Sequence, residues 1–137
     1  EKWQAKLGTG NVPARTDEGN WASASAVTDG KNVWAFVGSG DLACYSVDGK
    51  KAWAFNLQER YGKFNIQFGM HSTPILHEGK LFLQLLHTGA QLVIALDAAT
   101  GARAWTFPDG RYTPAIGVEG RLILTGVRDL YGLAPAP

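Results

Sequence analysis

The stretch Ala95-Leu96-Asp97-Ala98-Ala99-Thr100-Gly101-Ala102-Arg103-Ala104-Trp105 decides how the rest of the chain is read. Apolar Leu92-Val93-Ile94 precedes it, and Trp105-Thr106-Phe107 carries it onward. Asp97 brings a short acceptor side chain to the start of a turn, and Gly101 brings a residue free to adopt positive φ at its end. The stretch therefore reads as strand, tight turn, strand, with a tryptophan opening the second strand.

Imperfect copies of this unit fill the chain. A short Ser/Thr- or Pro-containing strand recurs as Ser23–Val27, Ser72–Leu76 and Tyr112–Ile116. An acidic-Gly turn follows each, at Asp29-Gly30, Glu78-Gly79 and Glu119-Gly120, and then a hydrophobic strand at Val33–Val37, Leu81–Leu86 and Leu122–Leu124. Third strands stand at Leu42–Val47, Leu92–Leu96 and Leu130–Leu133, and tryptophan-bearing fourth strands at Lys51–Phe55 and Arg103–Phe107. The turn glycines 30, 79 and 120 lie 49 and 41 residues apart. Helical periodicity is nearly absent. Four short strands per repeat at this period predict an all-β fold, a β-propeller with three blades per chain. The blade repeats span about 22–57, 71–108 and 112–133, the last completed by 2–7, in one domain over 1–137.

The third repeat has no fourth strand of its own, and the chain closes on Ala134-Pro135-Ala136-Pro137, whose prolines lack ladder donors. Lys2-Trp3-Gln4-Ala5-Lys6-Leu7 matches the missing strand. From turn glycine to tryptophan is 23 and 26 residues in the first two repeats, and 20 when Gly120 is counted through the C-terminus to Trp3. The expectation is that a neighbouring copy lends its N-terminal strand to the third blade. Three blades make no ring, and an open arc exposes apolar blade faces. Either the chain is a fragment of a longer propeller, natural or engineered, or it forms a homo-oligomer that closes the ring. A homodimer of six blades is preferred and a homotrimer of nine is the alternative.

Bulk composition narrows the function. The 137 residues are 45 % hydrophobic and 18 % charged, the pattern of a globular chain. A net charge of +1 gives no electrostatic reason to expect nucleic acid or an anionic membrane as partner. Cys44 is the single cysteine, so no intrachain disulfide forms, and on a strand it is expected to be buried and inert. No apolar run reaches transmembrane length, and Glu1-Lys2-Trp3-Gln4 does not open a signal peptide.

The repeat resembles that of the pyrroloquinoline-quinone (PQQ)-like β-propellers, loosely Ala-x-Asp-x-x-Thr-Gly-x-x-x-Trp, which Ala95–Trp105 matches and Cys44–Trp53 shortens. Gly38–Tyr45 and Phe64–Pro74 share the likeness. The resemblance implies a propeller and a bacterial periplasmic or secreted setting. Quinoprotein dehydrogenases of this kind are longer, eight-bladed, and hold the quinone with a metal ion, acidic ligands, a catalytic Asp and often a vicinal cysteine pair. No vicinal cysteines and no matching acidic cluster stand in this sequence, so no cofactor, metal or catalytic residue is assigned. The reading is a non-enzymatic scaffold or binding module; the alternatives are a PQQ-dependent oxidoreductase and a carbohydrate- or peptide-binding propeller.

Candidate residues divide accordingly. Trp3, Trp53 and Trp105, once per repeat, are expected in blade-to-blade packing, and Asp97, Thr100 and Gly101 in the turn. The function-like segment is the long loop from Gln58 to His71, with Arg60, Tyr61, Lys63, Asn65, Gln67 and His71 as ligand-binding candidates. Trp21, in the equivalent segment before the first repeat, joins them. The histidines 71, 77 and 87 have no metal-ligand spacing. Nucleophile and phosphate-loop motifs are missing, and Gly38-Ser39-Gly40 reads as a hairpin turn.

Overall fold

A computed structural model describes residues 2–8, 22–66, 70–87, 90–109, 116–126 and 128–134. Its strands are β1 (Val27–Thr28), β2 (Asn32–Phe36), β3 (Asp41–Ser46), β4 (Lys51–Asn56), β5 (Ile75–His77), β6 (Lys80–His87), β7 (Ala90–Asp97), β8 (Arg103–Phe107), β9 (Ile116–Val118), β10 (Arg121–Thr125) and β11 (Leu130–Leu133), with one helix, α1 (Leu57–Tyr61). They build three antiparallel sheets in meander order: β1-β2-β3-β4, β5-β6-β7-β8, and a three-stranded sheet of β9, β10 and β11. These are blades one, two and three.

The same turn chemistry recurs between blades. His77 pairs with Lys80 around Glu78-Gly79, and Val118 with Arg121 around Glu119-Gly120. Both central residues of each turn have positive φ, 45° and 70° in one and 47° and 70° in the other. That two-residue geometry matches the right-handed strand twist, and glycine adopts it without a Cβ penalty. The cross-strand rows also repeat. Trp34, Cys44 and Trp53 stand abreast in blade one; Phe82, Ala95 and Trp105 occupy the same row in blade two. Each row is followed by a register shift between the third and fourth strands, at Cys44/Tyr45 and at Ala95/Leu96.

Two cores hold the blades together. Trp34, Phe36, Leu42 and Cys44 of blade one pack against Leu81, Leu83, Leu85, Ile94 and Leu96 of blade two. Phe82, Val93 and Ala95 turn to the other side and pack against Leu122 and Leu124 of blade three. Blade two is thus apolar on both faces, which is why Leu81–Leu86 and Leu92–Leu96 are near-continuous hydrophobic runs instead of alternating ones. Phe107 meets Tyr131 edge-on at 4.8 Å across the second interface. The Tyr131 hydroxyl donates to Asp109 Oδ2 at 2.7 Å, and the carboxylate pushes the phenol up to about 12.

Two expectations need revision. First, the Gln58–His71 loop opens with α1. Asn56 caps it, its side chain accepting from the Gln58 N–H, and Gly62 ends it at φ 88°. Buried Leu57 anchors this turn to the first core. Five residues are too few to show helical periodicity, so only the Asn and Gly brackets marked it. Second, β1 begins at Val27 and β5 at Ile75, later than the expected starts at Ser23 and Ser72, and His71 lies before β5. Residues 2–8 pair with no strand of the same chain among the described residues. Tyr112–Ala115 of the expected third first-strand lie outside the described residues.

Candidate functional site

The interface between blades one and two is built on the β7–β8 turn. Asp97 Oδ1 accepts from the Thr100 N–H at 2.8 Å and from the Thr100 hydroxyl at 2.6 Å. The Gly101 N–H donates to the Asp97 carbonyl at 2.8 Å. Thr100 lowers the Asp97 pKa through its hydroxyl and then its backbone N–H, because both donors favour the carboxylate. The closed turn thrusts the Ala98 carbonyl toward blade one. There it accepts two indole N–H groups, from Trp34 at 2.8 Å and Trp53 at 3.1 Å. The Trp53 ring lies over Gly101 so closely that a Cβ there would stand 3.0 Å from it.

Trp3 repeats this docking one blade earlier. Its indole N–H donates to the Val47 carbonyl at 2.9 Å, and its ring crowds Gly49, where a Cβ would lie 2.6 Å away. It also stacks on Tyr45 at 5.8 Å. Val47 holds the place of Ala98 in the turn: the Val47 N–H donates to Lys31 O as that of Ala98 donates to Gly79 O. Trp105 occupies the matching row in blade two and tilts against Phe82 at 5.8 Å. It lines a cleft of about 430 Å³ with Phe82, Leu122 and Leu133, rimmed by Lys80 and Arg121.

The ligand-binding candidates scatter along the loop. Arg60, on α1, stretches over the Phe55 ring at 3.5 Å and donates from Nη1 to the Gly101 carbonyl at 2.9 Å. Its cation therefore clamps α1 to the neighbouring blade's turn. Tyr61 packs against the first core; its hydroxyl is buried with no hydrogen-bond partner among the described residues, and burial raises its pKa against the pull of Arg103 and Arg60. Lys63, Asn65 and His71 are exposed. Gln67 and Trp21 lie outside the described residues. His77 Nε2 stands 3.7 Å from Glu78 Oε1. His87 is 3 % exposed beside Phe64, and desolvation lowers its pKa, which keeps the imidazole neutral near pH 7. Cys44 is buried, and burial raises its thiol pKa, away from thiolate reactivity. Among the described residues no three His, Cys, Asp or Glu gather where a metal could be held, and no helix is long and apolar enough to cross a membrane.

Sequence reasoning missed the acceptor of the interface. The Ala98 carbonyl is a backbone atom, and residue type does not mark it. Trp34 appeared only as a strand residue; its place in one row with Trp53 was the available signal.

A family model described as outer membrane protein assembly factor BamB matches residues 1–130. No curated protein matches the sequence. Among solved structures, BamB from Moraxella catarrhalis superposes with TM-score 0.62 at 14 % identity, over 82 % of this chain and 31 % of that one. A europium-containing methanol dehydrogenase gives TM-score 0.51 at 15 % identity, over 64 % of this chain and 15 % of that one. The quinohemoprotein alcohol dehydrogenase ADHIIG from Pseudomonas putida HK5 gives 0.53 at 19 % identity, over 74 % and 16 %. The chain spans less than a third of the length of each of these structures. At these identities the likeness is one of fold, a segment of a β-propeller.

Proposed function

The chain belongs to the family of the outer membrane protein assembly factor BamB, and on that premise we propose that it is a non-enzymatic propeller scaffold, a module that binds polypeptide during assembly in the cell envelope. The observation that carries this reading is the repeated docking of an indole into a neighbouring turn, Trp53 on Ala98 and Trp3 on Val47. The repeat motif is spent on joining blades, and Arg60, the cation of the function-like loop, is spent on the same joint. The exposed residues of that loop include Lys63, Asn65 and His71, a polar set suited to recognition. Its proposed clients are extended chains with alternating apolar and polar residues, the pattern of an outer-membrane β-strand. The matching setting is periplasmic or secreted, and the working form is a closed ring of copies, six blades from two or nine from three.

The competing class is a PQQ-dependent oxidoreductase, favoured by the two dehydrogenases among the similar folds. One titration series separates them. A labelled alternating strand peptide is expected to bind saturably, and Lys63→Glu with His71→Ala to weaken it. Addition of PQQ and Ca²⁺ is expected to leave the quinone absorbance unchanged and to support no dye-linked alcohol oxidation. Turnover with PQQ would replace the scaffold reading by the oxidoreductase one. Binding to a glycan array but to no peptide would move the module to the carbohydrate-binding class.

A further inference from the structure

We infer that His87 is a pH-sensitive seat for residues 62–66: the segment is latched onto blade two while the imidazole is neutral and released when the imidazole takes up a proton. The latch sets where Lys63 and Asn65 stand, whatever they bind.

The segment is pinned at two points. The Phe64 N–H donates to Gln58 Oε1 at 2.8 Å, and Gln58 Nε2 donates to the Ser39 carbonyl at 2.7 Å. One amide side chain thus ties the segment to the β2–β3 turn of blade one. On the other side, the Phe64 ring packs against the first core and lies 5.2 Å from the His87 ring, tilted by 44°. His87 ends β6 and by strand alternation shares the face of Leu81, Leu83 and Leu85, which turns it toward blade one. Phe64 therefore sits at the joint of the two blades, between an amide bridge and an aromatic contact. Gly62 precedes it with φ 88° and ψ 160°, a conformation left to glycine, and a Cβ there would meet nothing within 4 Å. The segment has a hinge at its base and space to turn into.

The seat favours a neutral ring. His87 is 3 % exposed, and burial penalises the imidazolium, so its pKa is lowered. The ionisable groups on the elements around it do not offset that penalty. Lys80 and Asp97 face each other at the opposite end of β6 and β7. Asp41, on β3, accepts from Ser39 Oγ at 2.6 Å and from Asn56 Nδ2 at 3.0 Å. Along the loop stand Glu59, Arg60, Tyr61, Lys63 and His71, and Arg60 is committed to the Gly101 carbonyl. Desolvation, not any of these charges, moves His87.

The direction of the response follows. A released, solvated imidazole titrates at its ordinary 6.5, and the seated one lower. Latching is complete above 6.5, declines as pH falls below it, and levels off below the lowered value. At about pH 5 a released imidazole is protonated about thirty to one, so the latch weakens by at most about thirtyfold.

Amide exchange of Phe64 reads the latch, because its N–H is bonded to Gln58 in the seated form. By NMR on the full chain, its protection factor is expected to fall by about threefold to thirtyfold between about pH 7.5 and about pH 5, with the circular dichroism of the sheets unchanged. The chain has three histidines. Replacing the other two, His71→Gln with His77→Gln, should preserve the response, His87→Leu should abolish it, and the His87 Cε1 proton should titrate below 6.5. No response in the native chain, a response lost with His71 and His77, or one retained in His87→Leu would overturn the latch. A His87 that titrates above 6.5, with protection rising in acid, would also overturn it, because Phe64 would then be holding the imidazolium as a cation. If His87→Leu does not fold, the double variant and the titration decide. Exchange at Phe64 is read without any peptide, so the latch and the scaffold proposal can each fail and leave the other standing.

Discussion

Replacing Gly101 by alanine tests whether the turn of blade two is shaped by the tryptophan of blade one. Gly101 and Gly79 both have φ of 70°, so alanine at either site carries the same left-handed penalty, roughly 1–2 kcal/mol. Their surroundings differ. A Cβ on Gly79 meets nothing within 4 Å, while one on Gly101 lies 2.9 Å from Phe55 Cε1 and 3.0 Å from two carbons of the Trp53 ring. Neither ring is free to swing: Trp53 is tied to the Ala98 carbonyl, and Phe55 is pinned between Trp53 and the Arg60 guanidinium. The added methyl must push the blades apart, an overpacking term of about 1–3 kcal/mol. Gly101→Ala is therefore expected to lose about 1–3 kcal/mol more than Gly79→Ala in urea unfolding, with the slope unchanged. Pairing Gly101→Ala with Trp53→Ala should shrink that excess, since one of the two rings it strikes is gone and Phe55 gains space to shift. Equal losses at the two glycines, within about 0.5 kcal/mol, would refute the account of the interface.

Other outcomes follow from the same contacts. Trp34→Phe keeps an aromatic ring but removes the buried indole donor to Ala98, and should cost about 1 kcal/mol in urea unfolding. Asn56→Ala removes the α1 cap and the side-chain bonds to Ser39 O and Asp41 Oδ1; a loss of about 1–2 kcal/mol is expected in the same assay. Asp97 has a folded pKa lowered below its ordinary 3.8, so its stabilising contribution is complete above that value and fades as pH falls through the lowered one. Asp97→Asn should flatten the acid side of a melting-temperature profile, and an unchanged profile would count against the turn network. Cys44 should react with a thiol reagent in native buffer far more slowly than in urea, because it is 2 % exposed and its thiol is held protonated.

Most of the blade architecture is legible in the sequence. The acidic-Gly turns were placed from the sequence, and Gly30, Gly79 and Gly120 all have positive φ, with Glu78 and Glu119 joining them in the second and third turns. Leu81–Leu86 was legible as a hydrophobic strand, and the packed sheets show that it is buried on both faces. The short helix α1 was not legible, since one turn is held by its caps and by Leu57, leaving no periodic face to detect. The loop candidates show the same divide. Arg60 looked like a ligand-binding cation by composition, and only the packed blades reveal that its guanidinium reaches the Gly101 carbonyl, 41 residues along the chain.

The sequence by itself determined the order of the strands, where the glycine turns close, and that a tryptophan recurs once per repeat. These are local properties: glycine's backbone freedom, the alternation of side chains along a strand, and the spacing of like residues. Tertiary structure decided what the tryptophans do. An indole finds its acceptor in a carbonyl on another blade, and a carbonyl has no signature in residue type. The same packing decided that Trp3 docks on the Val47 turn of blade one, 44 residues along the chain. Pairing across that distance depends on which surfaces the folded blades bring to face each other, and no local pattern encodes it.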